Sequence, residues 1–182
     1  MEKINSNPVL KEILSWVEII IIATVIAFVL NTIIIANSRV PSGSMEPTIM
    51  TNDRVIGSRL LYNFKDPVRG DAIIFRWPDD ESTYFVKRIV GLPGDTVDIH
   101  DGHVYLNGSS EALDEPYIKE DMNPNHDPDP LHFTVPADAY FCMGDNRNNS
   151  VDARYWKNTY VYRNKIIAKV IFQYYPKIKM IK

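Results

Sequence analysis

Two serines separated by one glycine, Ser42 and Ser44, lie in the stretch Val40–Pro47, which begins four residues past a long apolar run. A serine hydroxyl is a weak nucleophile until a neighbouring base takes its proton. The chemistry that this stretch offers is therefore nucleophilic catalysis. The base must come within hydrogen-bonding distance of the hydroxyl, so the fold has to bring it there from another part of the chain.

Histidine is the usual partner of a catalytic serine, but the histidines here lie in turn-rich segments. A lysine can replace it once it has lost its proton. An exposed lysine has a pKa of about 10.4, and burial among apolar groups lowers that pKa. Lys87 lies in the apolar and aromatic segment Tyr84–Val90, where Arg88 alternates to the opposite face and can reach solvent or a carboxylate. The histidines are His100, His103, His126 and His132.

Other interpretations of the base stay open. Lys87 can instead be an ordinary strand residue whose ammonium group reaches water along its apolar stem. Lys165 and Lys169, in the last predicted strand, are the rival lysines within the chain.

A polar cluster at Met143–Arg154 follows an apolar segment, Ala139–Met143. Such composition is usual in a solvated loop. The functional interpretation is a supporting loop, in which a hydroxyl holds an amine in place and an Asp–Arg pair fixes the backbone.

Composition and charge narrow the class of protein. The chain has 182 residues and a net charge of −3, which disfavours a nucleic-acid surface. Cys142 is the only cysteine, so it forms no internal disulfide, and we interpret it as a small buried hydrophobe. The histidines lack the spacing of metal ligands, and we expect neither a metal site nor a cofactor.

The segment Ile19–Ala36 has eighteen residues and no charge. As an α-helix it would be about 27 Å long, close to the thickness of the hydrocarbon core of a bilayer. Trp16 lies where an interfacial anchor is expected. A transmembrane helix is therefore predicted. A cleavable signal peptide is the competing hypothesis, but this run is longer than the usual apolar region, and no clear small-x-small site follows it.

The rest of the chain is predicted to be β-rich, with no second helix. The pairs Asp101-Gly102 and Asn107-Gly108 are typical of tight hairpins, and residues 109–133 are predicted to be a surface loop or small insertion. Closely spaced strands predict a mainly β domain, with an antiparallel sheet that is closed or folded over like a barrel. The predicted strands are Val55–Leu61, Asp71–Trp77, Tyr84–Val90, His103–Leu106, Ala139–Met143 and Lys165–Tyr175.

Three segments resemble those of the bacterial type I signal peptidases: VPSGSMEPT at 40–48, VKRIVGLPGD at 86–95 and GDNRNNSVDAR at 144–154. Their order, their spacing and the preceding apolar span match that family over nearly the whole chain. The resemblance implies a membrane-tethered serine endopeptidase with a Ser–Lys dyad in a β-fold. Such enzymes remove signal peptides from exported preproteins after Ala-x-Ala-like sites. The single span and short insertion resemble the compact Gram-positive form.

The resemblance also implies a role for each matching residue. Ser44 would be the nucleophile and Lys87 the general base, while Ser42 and the backbone N–H of Ser44 would form the oxyanion hole. Ser150 matches a serine that hydrogen-bonds the lysine. The substrate would lie extended beside 40–42 and 84–86. Asp145, Asp152 and Arg154 would support the loop, and Val40, Pro41, Met45, Ile49, Phe85 and Val86 would line the substrate pocket.

The same resemblance implies a topology in the cell membrane. Residues 1–15 would be cytoplasmic, 16–36 would be the transmembrane helix, and 37–182 would form the extracytoplasmic catalytic domain. The expected partners are exported preproteins and the lipid bilayer, with no nucleic acid and no metal. Charge alone does not orient the span, because basic residues flank both of its ends: Lys3, Lys11 and Arg39.

Asn148 and Ala153 stand where many family members have Asp and Ser, and Phe85 stands where many have Tyr. Two other functions stay open. One is a self-cleaving Ser–Lys peptidase like the SOS-response repressors, against which the span and the lack of a DNA-binding segment argue. The other is a catalytically inactive, membrane-tethered module that binds exported peptides, against which the intact dyad residues argue.

Overall fold

The computed structural model describes residues 8–124 and 130–181. An N-terminal helix, α1 (Pro8–Val29), continues as a π-helical turn over Leu30–Ile34. The combined helix is long and apolar enough to cross a membrane, and its apolar window is not buried against the rest of the protein. A helix that is apolar on every face and packs against no protein has the character that a lipid environment requires.

The domain that follows consists mainly of short strands, with a one-turn helix, α2 (Leu61–Phe64), after the second of them. The strands are β1 (Ile35–Arg39), β2 (Arg54–Ser58), β3 (Ala72–Trp77), β4 (Asp80–Gly91), β5 (Thr96–His100), β6 (His103–Leu106), β7 (Leu131–Thr134), β8 (Ala139–Met143), β9 (Val161–Tyr162), β10 (Ile166–Tyr175) and β11 (Lys179–Met180).

These strands form two antiparallel sheets. The large sheet has the order β1-β2-β10-β3-β4-β8-β9, with β11 paired to β10, and the small sheet has the order β6-β5-β7. The mainly β, antiparallel fold class that the sequence predicts is therefore confirmed.

The large sheet brings three parts of the chain together around β4. In the β3–β4 hairpin, Ile73 faces Lys87, and on the other edge of β4, Arg88 faces Met143 of β8. The loop that leaves β8 after Met143 therefore starts next to Lys87. Because side chains alternate along a strand, Lys87 and Arg88 project from opposite faces of the sheet.

Apolar side chains pack on both faces of this sheet. One core includes Phe75, Ile89 and Phe141 and extends to the small sheet. The other includes Val40 and Val86 and lies under the chain between β1 and β2. Since β4 contributes to both cores, its central residues are enclosed, and a polar side chain placed there loses its contact with water.

The junction between the helix and the sheet differs from the prediction. The helix ends at Ile34, and Ile35 and Ala36 belong to β1, where they pair with β2. Apolar composition fits a membrane span and a buried strand equally well. Only the pairing of strands shows where the helix ends and the strand begins. Arg59 holds the junction, because its N–H donates to the Ile34 carbonyl at 2.9 Å and its Nε donates to the Ile35 carbonyl at 3.1 Å.

Two further predictions of secondary structure are wrong in part. The strand predicted to reach Leu61 ends at Ser58, and α2 follows it, although no second helix was expected. Strand β7 begins within residues 109–133, which were predicted to be a surface loop or small insertion, and no strand was predicted there. This strand has only four residues and pairs with β5 alone, so it carries little sequence signal.

The hairpin predicted at Asp101-Gly102 is confirmed, whereas the one predicted at Asn107-Gly108 is wrong, because within the described residues β6 pairs with β5 alone. Asp101 and Gly102 both have positive φ, at 51° and 77°, and they join β5 to β6. Glycine is also required here for space, because a Cβ at Gly102 would lie 2.6 Å from the carbonyl oxygen of Met122. Gly108 has a similar φ of 71° but nothing within 4 Å of the corresponding position.

Gly102→Ala should therefore destabilise the protein more than the matched change Gly108→Ala. Both substitutions strain a left-handed backbone by about 1–2 kcal/mol, and only the first forces a side chain against the Met122 carbonyl. We expect Gly102→Ala to lower the free energy of unfolding by a further ~1–3 kcal/mol, measured by urea denaturation of the full chain in detergent. Equal losses in the two variants would contradict the close approach of the segment around Met122.

Candidate active site

Ser44 lies in a 3₁₀ turn, Gly43–Met45, in the chain between β1 and β2. It is only 6% exposed, and its Oγ is 3.2 Å from Oγ of Ser42. Asn146 holds this turn from the loop after β8. Its backbone N–H donates to the Ser44 carbonyl at 3.1 Å, and its Nδ2 donates to the Gly43 carbonyl at 3.0 Å. The serine turn and the loop after β8 are thus fixed to each other.

Lys87 is 3% exposed in the middle of β4. Burial lowers its pKa to about 8, and Arg154 adds to this fall, while the charges of Asp152 and Asp145 oppose it. Its Nζ lies 5.7 Å from the centroid of the Phe85 ring. A lysine in this setting loses its proton far more readily than one on the surface.

Ser44 and Lys87 line the same cleft, which has a volume of about 410 Å³. One wall is the segment 38–44 and the other is the segment 83–87, while Asn149 and Val151 of the loop after β8 close one side. These two walls contain the segments between which an extended substrate was expected. No hydrogen bond joins the lysine to the serine within the described part of the chain.

The residues predicted to line the substrate pocket fall into two groups. Val40, Pro41, Phe85 and Val86 line the cleft. Met45 and Ile49 have no exposed surface and pack in the core behind Val86. In this structure they form the backing of the cleft wall and are not part of the wall itself.

Gly144 allows the serine turn and the loop after β8 to touch. A Cβ at this position would lie 2.2 Å from Oγ of Ser150 and 2.4 Å from the Ser44 carbonyl oxygen. The Ser150 hydroxyl is buried and has no hydrogen-bond partner among the described residues. A buried hydroxyl without a partner is unfavourable, so this position is held by the close packing around Gly144 and not by a hydrogen bond of its own.

The pair formed by Asp152 and Arg154 fixes the loop from inside. Arg154 Nε donates to Asp152 Oδ1 at 2.9 Å, and the Gly144 N–H donates to Asp152 Oδ2 at 2.9 Å. Burial alone would raise the pKa of Asp152, but the charge and hydrogen bonds of Arg154 hold it below its ordinary value. The carboxylate therefore stays ionised and keeps the loop closed on itself.

A second buried ion pair lies on the opposite face of β4. Arg88 Nε and Nη2 donate to the two carboxylate oxygens of Asp145 at 2.8 and 2.7 Å, and both side chains are at most 1% exposed. Of the two partners expected for Arg88, solvent or a carboxylate, the structure shows the carboxylate. This bidentate pair ties the start of the loop to the strand that carries Lys87.

Three residues hold the loop in a way that was not predicted from the sequence: Asn146, Arg147 and Glu115. Asn146 lies in a segment that was singled out, but nothing in the sequence indicated its contacts with the serine turn. Arg147 donates through Nη1 and Nη2 to the two carboxylate oxygens of Glu115, both at 2.6 Å. No sequence signal connects these two residues, because Glu115 lies in the segment that was predicted to be a surface loop.

The rival lysines lie elsewhere and have carboxylate partners. Lys165 Nζ is 2.6 Å from Glu81 and Lys169 Nζ is 2.5 Å from Asp71. Each of these lysines is thus engaged in an ion pair with a carboxylate. Neither lysine lines the cleft.

The described histidines do not approach the cleft. His100 contacts Asp101, His132 contacts Asp98, and both lie in the small sheet, while His126 is outside the described residues. Within the described ranges, no group of three or more His, Cys, Asp or Glu side chains is arranged to hold a metal ion. Cys142 is buried, and burial raises the pKa of its thiol.

Comparison with known proteins identifies the class of enzyme. The model of the family described as "Signal peptidase, peptidase S26" matches residues 13–175. The chain therefore belongs to this family of peptidases. Its curated relatives are signal peptidases I, which makes it a serine endopeptidase, a hydrolase of peptide bonds.

Three similar proteins illustrate this relationship. A probable signal peptidase I-2 from Synechocystis sp. is 37% identical over 89% of this chain and 74% of its own length. Signal peptidase I P from Bacillus subtilis subsp. natto is 35% identical over 78% of each chain. A crystal structure of a signal peptidase I from Enterococcus faecalis is 32% identical and covers 58% of this chain and 97% of its own, with a TM-score of 0.48.

Lys87→Met should stabilise the protein at pH 7, by roughly 1–3 kcal/mol, because it removes a buried ammonium group. The pKa of Lys87 is about 8 in the folded state and about 10.4 in the unfolded chain. Between these values the unfolded state binds more protons, so the stability of the wild type rises with pH. We expect the advantage of the variant to be largest below pH ~8 and to vanish above pH ~10.4.

This comparison can be made by urea denaturation of the two full-length proteins in detergent across that pH range. Lys169→Met is the matched control, because it leaves Asp71 without its cation and should destabilise the protein. A loss of stability in both variants at pH 7 would show that Lys87 is ion-paired like Lys169.

Proposed function

We propose that this enzyme removes N-terminal signal peptides from exported preproteins by cutting after Ala-x-Ala-like sites, with Ser44 as nucleophile and Lys87 as general base. The observation that carries this proposal is the cleft itself. It is lined by a buried serine and by a buried lysine whose burial lowers its pKa to about 8. A base with such a pKa has a neutral fraction of about a tenth at pH 7, far larger than that of an exposed lysine, and general-base catalysis uses this neutral fraction.

In this mechanism neutral Lys87 accepts the proton of the Ser44 hydroxyl as Oγ attacks the scissile carbonyl carbon. The Lys87 ammonium then donates this proton to the nitrogen of the leaving amine, and the C–N bond breaks. An ester joins the signal peptide to Ser44. Lys87 next takes a proton from a water molecule as the water oxygen attacks the ester carbonyl carbon. The C–O bond to Ser44 then breaks, Lys87 returns the proton to Oγ, and the signal peptide leaves with a free carboxylate.

The developing oxyanion requires hydrogen-bond donors close to Ser44. We assign these to the Ser42 hydroxyl and the backbone N–H of Ser44. The contact of 3.2 Å between the two serine hydroxyls supports this assignment, because it places Ser42 beside the reacting oxygen. One such donor typically contributes about 3–4 kcal/mol to stabilising the transition state.

Ser150 is assigned to hold the amine of Lys87. Its hydroxyl is buried, lacks a partner among the described residues and lies next to the serine turn at Gly144. A lysine has many rotamers, and an acceptor of this kind fixes the one that points at the nucleophile. Asp145, Asp152 and Arg154 then hold the loop that carries Ser150.

The substrate would bind extended between the segments 38–44 and 83–87. Phe85 and Val86 present apolar surface to the cleft, which suits small apolar side chains on either side of a variable residue. Phe85 carries no hydroxyl, so this surface recognises shape and apolarity without a hydrogen bond. This arrangement favours an Ala-x-Ala-like sequence before the scissile bond.

Helix α1 is assigned as a transmembrane anchor, with residues 1–15 in the cytoplasm and 37–182 outside the cell membrane. The length of the helix and the exposure of its apolar side chains support the anchor. An enzyme tethered in this way meets its preprotein where the signal peptide leaves the bilayer, so tethering raises the local concentration of both partners.

The dyad predicts how the rate responds to mutation and to pH. Purified full-length protein in detergent should cut a preprotein with an Ala-x-Ala site. Ser44→Ala and Lys87→Met should each lower kcat by about 10⁴-fold or more. Because the base must be neutral, the wild-type rate should rise with pH through an apparent pKa well below that of a free lysine.

Lys165→Met and Ser109→Ala are the controls, since both residues lie away from the cleft, and both should keep full activity. Retained cleavage in Lys87→Met would overturn its role as the base. Binding of the preprotein without any cleavage by the wild type would instead favour a tethered peptide-binding module.

The proposed topology predicts one-sided labelling. Cys142 is buried, so an introduced cysteine dominates the reaction with a membrane-impermeant maleimide. Ala112→Cys, on the exposed surface of the domain, should be labelled in intact cells, whereas Lys11→Cys, before the apolar run, should be labelled only after the cells are broken. The opposite pattern would reverse the assigned orientation.

A further inference from the structure

The segment 113–124, here called the strap, crosses the loop 144–154 and lies outside the substrate cleft. The small sheet anchors both of its ends. The Leu113 N–H donates to the Val104 carbonyl at 2.8 Å, and the Met122 N–H donates to the Gly102 carbonyl at 3.3 Å. No strap residue lines the cleft. The strap therefore reaches the proposed chemistry through the loop and through one exposed contact beside the serine turn, where Lys119 Nζ donates to Glu46 Oε2 at 3.2 Å.

Glu115 makes the main contact between the strap and the loop. Its two carboxylate oxygens accept hydrogen bonds from Arg147 at 2.6 Å, and the side chains of Glu115 and Arg147 are 5% and 1% exposed. Tyr117 donates its hydroxyl to Glu115 at 2.7 Å. A buried guanidinium that lost this carboxylate would be an uncompensated charge, which forces rearrangement.

Arg147 transmits this contact to the serine turn. Its Nε donates to the Gly144 carbonyl at 3.0 Å. Gly144 is the point where Ser150 and the Ser44 carbonyl approach each other most closely. A shift of Arg147 would thus move the backbone on which the proposed nucleophile and the unpartnered hydroxyl are aligned.

The strap makes a second contact at Asn148. Asn148 Nδ2 donates to Glu120 Oε1 at 2.9 Å and to the Asp121 carbonyl at 3.0 Å, while its Oδ1 accepts from the Asn123 N–H at 2.8 Å. Each of these three hydrogen bonds therefore pairs a donor with an acceptor. An aspartate at 148 would lose both donors and would place a second carboxylate against Glu120.

We infer that the strap holds the loop 144–154 in its reacting position, with Glu115 acting through Arg147 and Glu120 acting through Asn148 as positioning residues. This inference rests on the proposed function of Ser44, Lys87 and Ser150. The strap belongs to the insertion between the second and third sequence motifs. The inference gives this insertion a part in the reaction, although the strap lies outside the substrate cleft.

The first test is Glu115→Gln in the full chain in detergent, with Asp114→Asn as the matched control. Asp114 is an exposed neighbour in the strap. We expect kcat for preprotein cleavage to fall at least about tenfold in Glu115→Gln, with KM within about twofold because the cleft wall is unchanged. The control should retain the wild-type kcat. An unchanged kcat in Glu115→Gln would overturn the role of this residue.

The pH profile separates positioning from a general loss of stability. The charged or titratable groups around Lys87 are Asp152, Asp145, Arg154 and Cys142. Without Glu115, the Arg147 cation is free to compete for Asp152, whose negative charge supports the protonated lysine. The acidic limb of the kcat profile should therefore move to lower pH in Glu115→Gln, whereas a purely structural defect would lower the profile without moving it.

The second test uses the other contact and includes a rescue. Asn148→Asp should lower kcat, because it sets two carboxylates against each other. Adding Glu120→Gln should restore most of the loss, since a glutamine amide can donate to the new aspartate. Equal activity in the single and double variants would show that the contact between Glu120 and Asn148 has no part in positioning.

Hydrogen exchange of the backbone decides the question independently of catalysis. Glu115→Gln should speed the exchange of amides in 144–154 and leave β3 and β4 unchanged. If the wild type cleaves no preprotein, the proposed function fails, but this measurement still reports on the strap. Unchanged exchange in the loop would overturn the inference even if activity were lost.

Discussion

The site depends on one constraint: the proposed mechanism requires Lys87 to be buried deeply enough to lose its proton although charged side chains surround it. A single unpaired carboxylate nearby would stabilise the ammonium form and oppose the proposed role of Lys87. In the structure, the charged side chains around the lysine form ion pairs with one another. Arg88 binds Asp145, Arg154 binds Asp152, and Arg147 binds Glu115. With these charges balanced, burial decides the pKa of the lysine.

Whether the sequence could predict a contact in this site depends on how far apart the contacting residues lie in the chain. The apolar character of β4 is local, so the burial of Lys87 could be inferred from its neighbours. The residues expected to lie beside Lys87 came from the resemblance of three segments to a known family. Such a resemblance places residues that are distant in the sequence in one site. Neither local composition nor the resemblance predicts the contact of Arg147 with Glu115, because Glu115 lies outside the three motifs in a segment without a distinctive composition. The same limit explains why β7 was missed: a short strand exists only through its pairing.

The positions that depart from the family pattern have physical explanations in this structure. Asn148 supplies donors that a carboxylate would lack, and its neighbours Glu120 and the Asp121 carbonyl accept them. Ala153 is completely buried in the core beside β8, where a hydroxyl would need a partner of its own. Phe85 stacks on Trp77 with ring centroids 5.0 Å apart, so its ring supports the cleft wall by packing alone.

The direct passage from the helix to β1 ties the position of the cleft to the position of the helix. Ile35 follows the helix without a linker, Arg59 clamps the junction, and the cleft begins at Ser38 on the same strand. Three residues of extended chain span only about 10 Å. With the helix in a bilayer, as proposed, this short connection would set the distance between the cleft and the lipid surface. The distance of a peptide bond from the membrane would then contribute to its selection, together with its flanking side chains.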